Sequence, residues 1–144
     1  MVNFTMGIVF SPDLKDMYLL RKDHPDWQAG LLNGVGGKLQ DGENYASAMA
    51  RESQEEASYA GDWNHLGSMR GNNDVGAFQC DVFYSVMGAE AKEPKTTEAE
   101  KIEKHPVADL VTLIPEMVPH LPMLIMAAQA HHAATNKFTL EVVY

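Results

Sequence analysis

Apolar residues recur with two different periods along this chain, and the changes of period divide it into strands and helices. Val2–Phe10 is dense in β-branched and aromatic residues, and Ser11-Pro12-Asp13 closes it with a turn. Residues 17–20 read as a short buried strand ending at Arg21 and Lys22, so the two runs predict a hairpin. Residues 23–30, with Pro25 and Trp27, read as a loop. A brief strand follows over 31–35, and Gly36 and Gly37 are expected to break it. Residues 44–58 switch to helix: Ala, Met, Glu and Gln dominate, no Pro or Gly interrupts, and Asn44 suits the cap. Tyr45, Ala48, Met49 and Ser53 fall on the side of that helix that packs on a sheet, opposite its carboxylates.

Past Gly61, residues 63–70 and 77–87 predict two more strands joined by the polar turn 71–74. Residues 88–97 have the composition of a solvated loop, and 101–107 contain one strand. Pro115, Pro119 and Pro122 lead into a second helix over 121–134, where Leu121, Leu124, Ile125 and Ala128 form an apolar stripe. Pro122 is tolerable there only in the first turn. The tail, 138–144, alternates as a final strand. Strands with two separated helices, no repeat and no linker predict one α/β domain over residues 1–144, a mixed sheet between helical layers.

Composition narrows the function. Apolar residues are 45% of the chain, which argues for a packed core over disorder. The formal charge is −9, and charging all six His would still leave −3. That surface repels the phosphates of long nucleic acids but tolerates a small anion bridged by metal ions. No apolar run approaches the length of a membrane span, no export signal is evident, and the lone Cys80 cannot form an internal disulfide. A cytoplasmic location is expected, without membrane association; a homodimer is compatible with the sequence. The nine Met are most simply core filler.

The chemistry concentrates in residues 37–59, GKLQDGENYASAMARESQEEASY. Glu52, Glu55 and Glu56 stand at i, i+3 and i+4 of the helix, so the three carboxylates are expected to converge. Like charges so placed weaken an isolated helix unless something cationic joins them. Hard divalent ions such as Mg2+ take carboxylate oxygens together with substrate phosphates. A solvated acidic face would also account for three Glu. It leaves Gly37, Glu43 and Arg51 unexplained.

Gly37, Glu43, Arg51, Glu52, Glu55 and Glu56 have the spacing G-x5-E-x7-R-E-x2-E-E, which resembles the signature of the Nudix hydrolase family. Two positions depart from it: Ser53 replaces an aliphatic residue, and Ser58 stands where glycine is usual. The resemblance implies a Nudix α/β/α sandwich and Mg2+ as cofactor, with Mn2+ as a substitute. It also implies that Glu52 and Glu56, beside the Gly37 carbonyl, are the main metal ligands. Glu55 is then a further ligand or the general base, and Arg51 pairs with Glu43 to hold the loop against the helix. A further catalytic carboxylate is expected from a late loop, Glu98 first and Glu100 second.

Within the family, Asn33-Gly34-Val35-Gly36-Gly37-Lys38 resembles the segment of MutT-like members that hydrolyse nucleoside triphosphates, including oxidised purine nucleotides. The reaction so implied releases nucleoside monophosphate and pyrophosphate. Asn33 can read a purine edge or simply form a turn before Gly34. Arg21 and Lys38 are candidates for phosphate and His120 for the base, whereas Lys22 reads as a solvated strand end. Surface roles for Lys38 and His120 stay open, and His131-His132 reads as an exposed helix end. Alternatives are another nucleoside diphosphate derivative (a sugar nucleotide, ADP-ribose or a dinucleoside polyphosphate) or a non-catalytic nucleotide-binding module.

Overall fold

A computed structural model describes residues 1–74 and 76–144. Its framework is an eight-stranded mixed sheet: β1 (Val2–Phe10), β2 (Asp16–Arg21), β3 (Leu32–Asn33), β4 (Val35–Lys38), β5 (Asn64–Asn73), β6 (Gly76–Val86), β7 (Lys101–Pro106) and β8 (Leu140–Val143). Helix α1 (Tyr45–Ala57) covers one face; the four-residue α2 (Leu110–Leu113) and the longer α3 (Leu121–Ala133) cover the other.

Strand alternation divides the core between the two faces. Met6, Ile8 and Phe10 of β1, with Met17 and Leu19 of β2, point to the α3 side and pack with Leu121, Leu124, Ile125 and Ala128. Val9, Tyr18 and Leu20 point the other way, onto Met49 and Ala57 of α1. The apolar stripe expected on the second helix is therefore the one that docks, and Pro122 sits in its first turn.

β1 is the centre of the architecture. Along one edge it pairs parallel with β6 over its whole length. Its other edge is shared: β4 occupies Phe4 to Gly7, and β2 takes Val9 and Phe10 in the expected hairpin. β2 also bonds to β3 and β7, so the sheet forks between β4 and the β2–β3 pair.

The fork corrects the reading of the glycine pair. Gly36 and Gly37 do not break a strand; they lie inside β4, opposite Met6 and Thr5, and the interruption falls at Gly34. Gly36 has φ +154°, and a Cβ there would run into the Thr5 carbonyl, so only glycine lets β4 lie this close to β1. The hairpin between β5 and β6 is also tighter than the predicted turn, because pairing continues to Asn73↔Gly76. Of the predicted turn residues, 71–73 are strand and only Asp74 lies in the turn.

Both departures in the helix have local explanations. Ser53 is fully buried, and its hydroxyl donates to the Tyr59 carbonyl at 2.8 Å, so the polar group is satisfied within the core. Ser58 takes the left-handed conformation (φ 49°, ψ 37°) that glycine adopts more readily at this helix exit. At the other end, Asn44 and Ser47 form a reciprocal capping box.

Candidate active site

The loop before α1 is held by Arg51. Its Nε and Nη2 donate to the two oxygens of Glu43 at 2.7 and 3.0 Å, and Nη2 also donates to the Lys38 carbonyl at 3.1 Å. The remaining amino group, Nη1, reaches Glu52 at 3.1 Å and Glu55 at 3.2 Å. One guanidinium thus ties the end of β4, the loop and two helix carboxylates together. It holds the Glu43 carboxyl below the usual carboxylate range, while Glu43 in turn raises the Arg51 value.

Glu56 has a different partner from these two. It is 8% exposed, on the buried side of α1 with Ala48, Met49, Ser53 and Ala57, not opposite them as the helical pattern predicted. Its Oε1 accepts the Gly36 amide N–H at 2.7 Å. The predicted convergence of Glu52, Glu55 and Glu56 on one point is not observed. Among the described residues, the group of three ligating side chains with atoms within 4.8 Å of one another is Asp23, His24 and Glu100. The reason is local: Arg51 draws Glu52 and Glu55 towards itself, and the Gly36 amide draws Glu56 into the fork of the sheet.

Electrostatics mark the gap between these groups. Burial pushes the Glu56 carboxyl up to about 7, with the charges of Glu52 and Glu100 adding to the rise and Lys22 and the Gly36 amide opposing it. Burial also raises Glu52. Gly37 leaves the space that Glu52 uses: a Cβ there would lie 2.8 Å from the Glu52 carboxyl carbon and closer still to one oxygen. The donors are all oxygens, two of the carboxylates are poorly solvated, and each is raised by another negative charge. That set fits a hard divalent cation.

The late loop reaches this gap through backbone contacts. The Thr97 hydroxyl donates to the Glu55 carbonyl, and the Lys95 amide donates to the Ala57 carbonyl at 2.9 Å. Glu98 remains exposed, and the carboxylate delivered inward is Glu100, 6% exposed. Glu100 Oε1 accepts the Lys22 ammonium at 2.9 Å, and Oε2 accepts the Asp23 amide at 2.7 Å.

The basic candidates exchange places. Arg21 commits four of its five N–H donors, two to Glu103 and one each to Glu116 and the Gly30 carbonyl. It ties β2 to β7 and holds Glu103 down at about 2, so it is a strap and not an open phosphate ligand. Lys22, read as solvated, has a side chain only 12% exposed and faces the acidic gap. Strand alternation carried the only hint of this, since Arg21 and Lys22 must point to opposite faces. Lys38 keeps an exposed side chain at the end of β4.

Asn33 is half-buried, donating to Gln28 at 3.0 Å and accepting the Gly34 amide at 2.8 Å. The Val118 amide bonds to the Leu32 carbonyl, which docks the approach to α3 beside the strand bearing Asn33. His120 follows, half-buried at the start of α3 with no cap bond, and burial holds its imidazole below the usual histidine range. His131 is not an exposed helix end; it is buried with its Nδ1 2.7 Å from the Tyr84 hydroxyl.

The NUDIX domain family model matches residues 4–126, which includes every element from β1 into α3. The chain belongs to the NUDIX family. Solved NUDIX-fold structures agree with the architecture. The NUDIX domain of Shewanella oneidensis NrtR, in complex with ADP ribose, superposes with a TM-score of 0.76 at 16% identity over 92% of this chain and 89% of its own. A MutT protein from Bacillus halodurans gives 0.72 at 20% identity, covering 99% and 88%. A MutT protein from Methanosarcina mazei gives 0.67 at 17% identity, covering 92% and 96%. No curated protein sequence matches. NUDIX proteins form a family of pyrophosphate hydrolases that act on small nucleotides and generally use divalent metal ions, typically Mg2+. No described helix is long and apolar enough to cross a membrane.

Proposed function

We propose that this NUDIX protein is a divalent-metal-dependent pyrophosphohydrolase of nucleoside triphosphates, releasing the monophosphate and pyrophosphate. The observation that carries the reading is Glu56, buried on the Gly36 amide within the field of the Glu52 and Glu100 charges, with Gly37 lacking a side chain beside Glu52. Glu52, Glu56 and the Gly37 carbonyl would hold the ion, with the Glu100 carboxylate within its field. The bound ion, Mg2+ in the cell with Mn2+ as a substitute, would neutralise phosphate charge and lower the pKa of water.

The chain's own groups supply the rest. Glu55, about half exposed at the mouth, is placed to take the proton of the attacking water, or to act as a further ligand. Arg51 keeps Glu43, Glu52 and Glu55 in fixed relation, which makes it a positioning residue. Asn33, anchored through Gln28 and Gly34, retains one amide N–H and one acceptor lone pair for the edge of a base. The half-buried His120, two residues beyond the Val118 amide that bonds to Leu32, is the candidate for the base, and the exposed Lys38 for phosphate. Arg21 is withdrawn from that role by its ion pairs, and Glu98 gives way to Glu100.

The test is a hydrolysis screen in Mg2+ over canonical, oxidised and methylated nucleoside triphosphates, sugar nucleotides, ADP-ribose and dinucleoside polyphosphates, with products identified. Monophosphate and pyrophosphate from a triphosphate, abolished by chelator, are expected. Turnover confined to another class replaces the substrate assignment; binding with no turnover anywhere replaces catalysis with a nucleotide-binding role.

A further inference from the structure

Among the described residues, Lys22 and Glu100 form the least exposed ion pair, with side chains 12% and 7% exposed and 2.9 Å between Nζ and Oε1. The two oxygens of Glu100 are held in different ways. Oε2 accepts the Asp23 amide at 2.7 Å and the His24 amide at 3.4 Å and lies 3.3 Å from His24 Nδ1, so the Asp23–His24 segment fixes it. Oε1 has the ammonium of a flexible side chain. The late loop that delivers Glu100 is bonded to the Glu55 and Ala57 carbonyls on either side of Glu56, and the charges of both Lys22 and Glu100 act on the Glu56 carboxyl, in opposite senses. Arg51 is fully engaged with Glu43, Glu52 and Glu55.

We propose that Lys22 is a resident counter-cation for the Glu56–Glu100 gap, exchanged for the divalent ion at Glu100 Oε1 and thereby released towards the substrate's phosphates. The inference rests on the metal site proposed above and adds a regulation to it. Three features support exchange over simple coexistence. An ammonium and a divalent ion competing for one carboxylate oxygen repel strongly in a poorly hydrated site. The backbone amides on Oε2 keep the carboxylate from turning away, so a newcomer must compete for Oε1. Finally, the lysine stem carries three rotatable donors and can re-aim without moving β2. Before loading, Lys22 offsets the burial of negative charge. After loading, the same ammonium faces an anion.

The experiment is Mn2+ binding to the metal-free protein without nucleotide, followed by the loss of free-ion paramagnetic resonance signal. Wild type, Lys22→Met, Lys22→Gln and Lys22→Arg are compared. Removing the competing charge is expected to tighten Mn2+ binding about tenfold or more in K22M and K22Q, with K22R close to wild type. K22Q keeps a donor for Glu100 and carries the test if K22M fails to fold. Equal or weaker binding in the neutral variants, with wild type still binding, overturns the exchange and leaves the metal site standing. If none of the four proteins binds Mn2+, the metal site falls and the exchange with it.

Discussion

The Glu56 carboxylate and the Gly36 amide meet at 2.7 Å, linking the buried side of α1 to the strand that forks away from β2. Glu56 is thereby held inside the protein instead of on the solvated rim with Glu55, and its carboxyl is raised to about 7. A group in that state binds a proton or a cation, and the exchange between them is the basis of the first two predictions.

Glu56→Gln keeps an acceptor for the Gly36 N–H and removes the charge. Turnover on the best substrate should fall by at least about 100-fold, with the circular dichroism spectrum unchanged. Activity within a few-fold of wild type would show that the ion is held elsewhere.

Stability of the metal-free protein should depend on this group with a definite sign. An unfolded glutamate releases its proton near 4.5, whereas folded Glu56 keeps it to about 7. Between those values the folded state binds the extra proton, so its contribution to stability is present at low pH and is lost as pH rises. The loss is on the order of 1–3 kcal/mol. His120 and His131, held below the usual histidine range by burial, act in the opposite sense up to about 6.5. The measurement is therefore the difference between wild type and E56Q in chemical denaturation at pH 5 and pH 8. The wild-type curve should fall relative to E56Q as pH rises, and saturating Mg2+ should abolish the gap at pH 8.

The two glycines of β4 should fail differently. A Cβ at Gly37 meets the far end of the Glu52 side chain, which can swing away, so Gly37→Ala should fold but lose at least about tenfold in Mn2+ affinity. A Cβ at Gly36 meets the Thr5 backbone at a positive φ, so Gly36→Ala should lower the melting temperature as well. Thermal denaturation and ion binding on the same pair of variants separate the two.

Arg51→Lys cannot reproduce the forked contact with Glu43 or reach Glu52, Glu55 and the Lys38 carbonyl together. A loss of about 2 kcal/mol in urea denaturation is expected, together with reduced turnover.

Ser58→Gly restores the residue that suits a left-handed helix exit. It should stabilise the protein by about 1 kcal/mol with activity unchanged. A destabilised variant would mean that the serine side chain does more than occupy a strained position.

The fold class was legible because short-range periodicity encodes it. Alternation over β1 and β2, the uninterrupted helix former at α1 and the stripe on α3 each specify an element and its buried side. The spacing of Gly37, Glu43, Arg51, Glu52, Glu55 and Glu56 likewise carried the Arg51–Glu43 pair and the family. These are properties of neighbours along the chain, where geometry within one helix or one strand suffices.

Beyond the Arg51–Glu43 pair, only the tertiary structure decided which charges meet. Gly36 and Gly37 became strand because β1 offers them an edge, and Glu56 turned inward because that strand presents an amide to it. Arg21 was drawn off by Glu103 and Glu116, far away in sequence, while Lys22 took the acidic gap with Glu100 instead of Glu98. A side chain's partner depends on the packing of distant segments, and a single sequence leaves that pairing open.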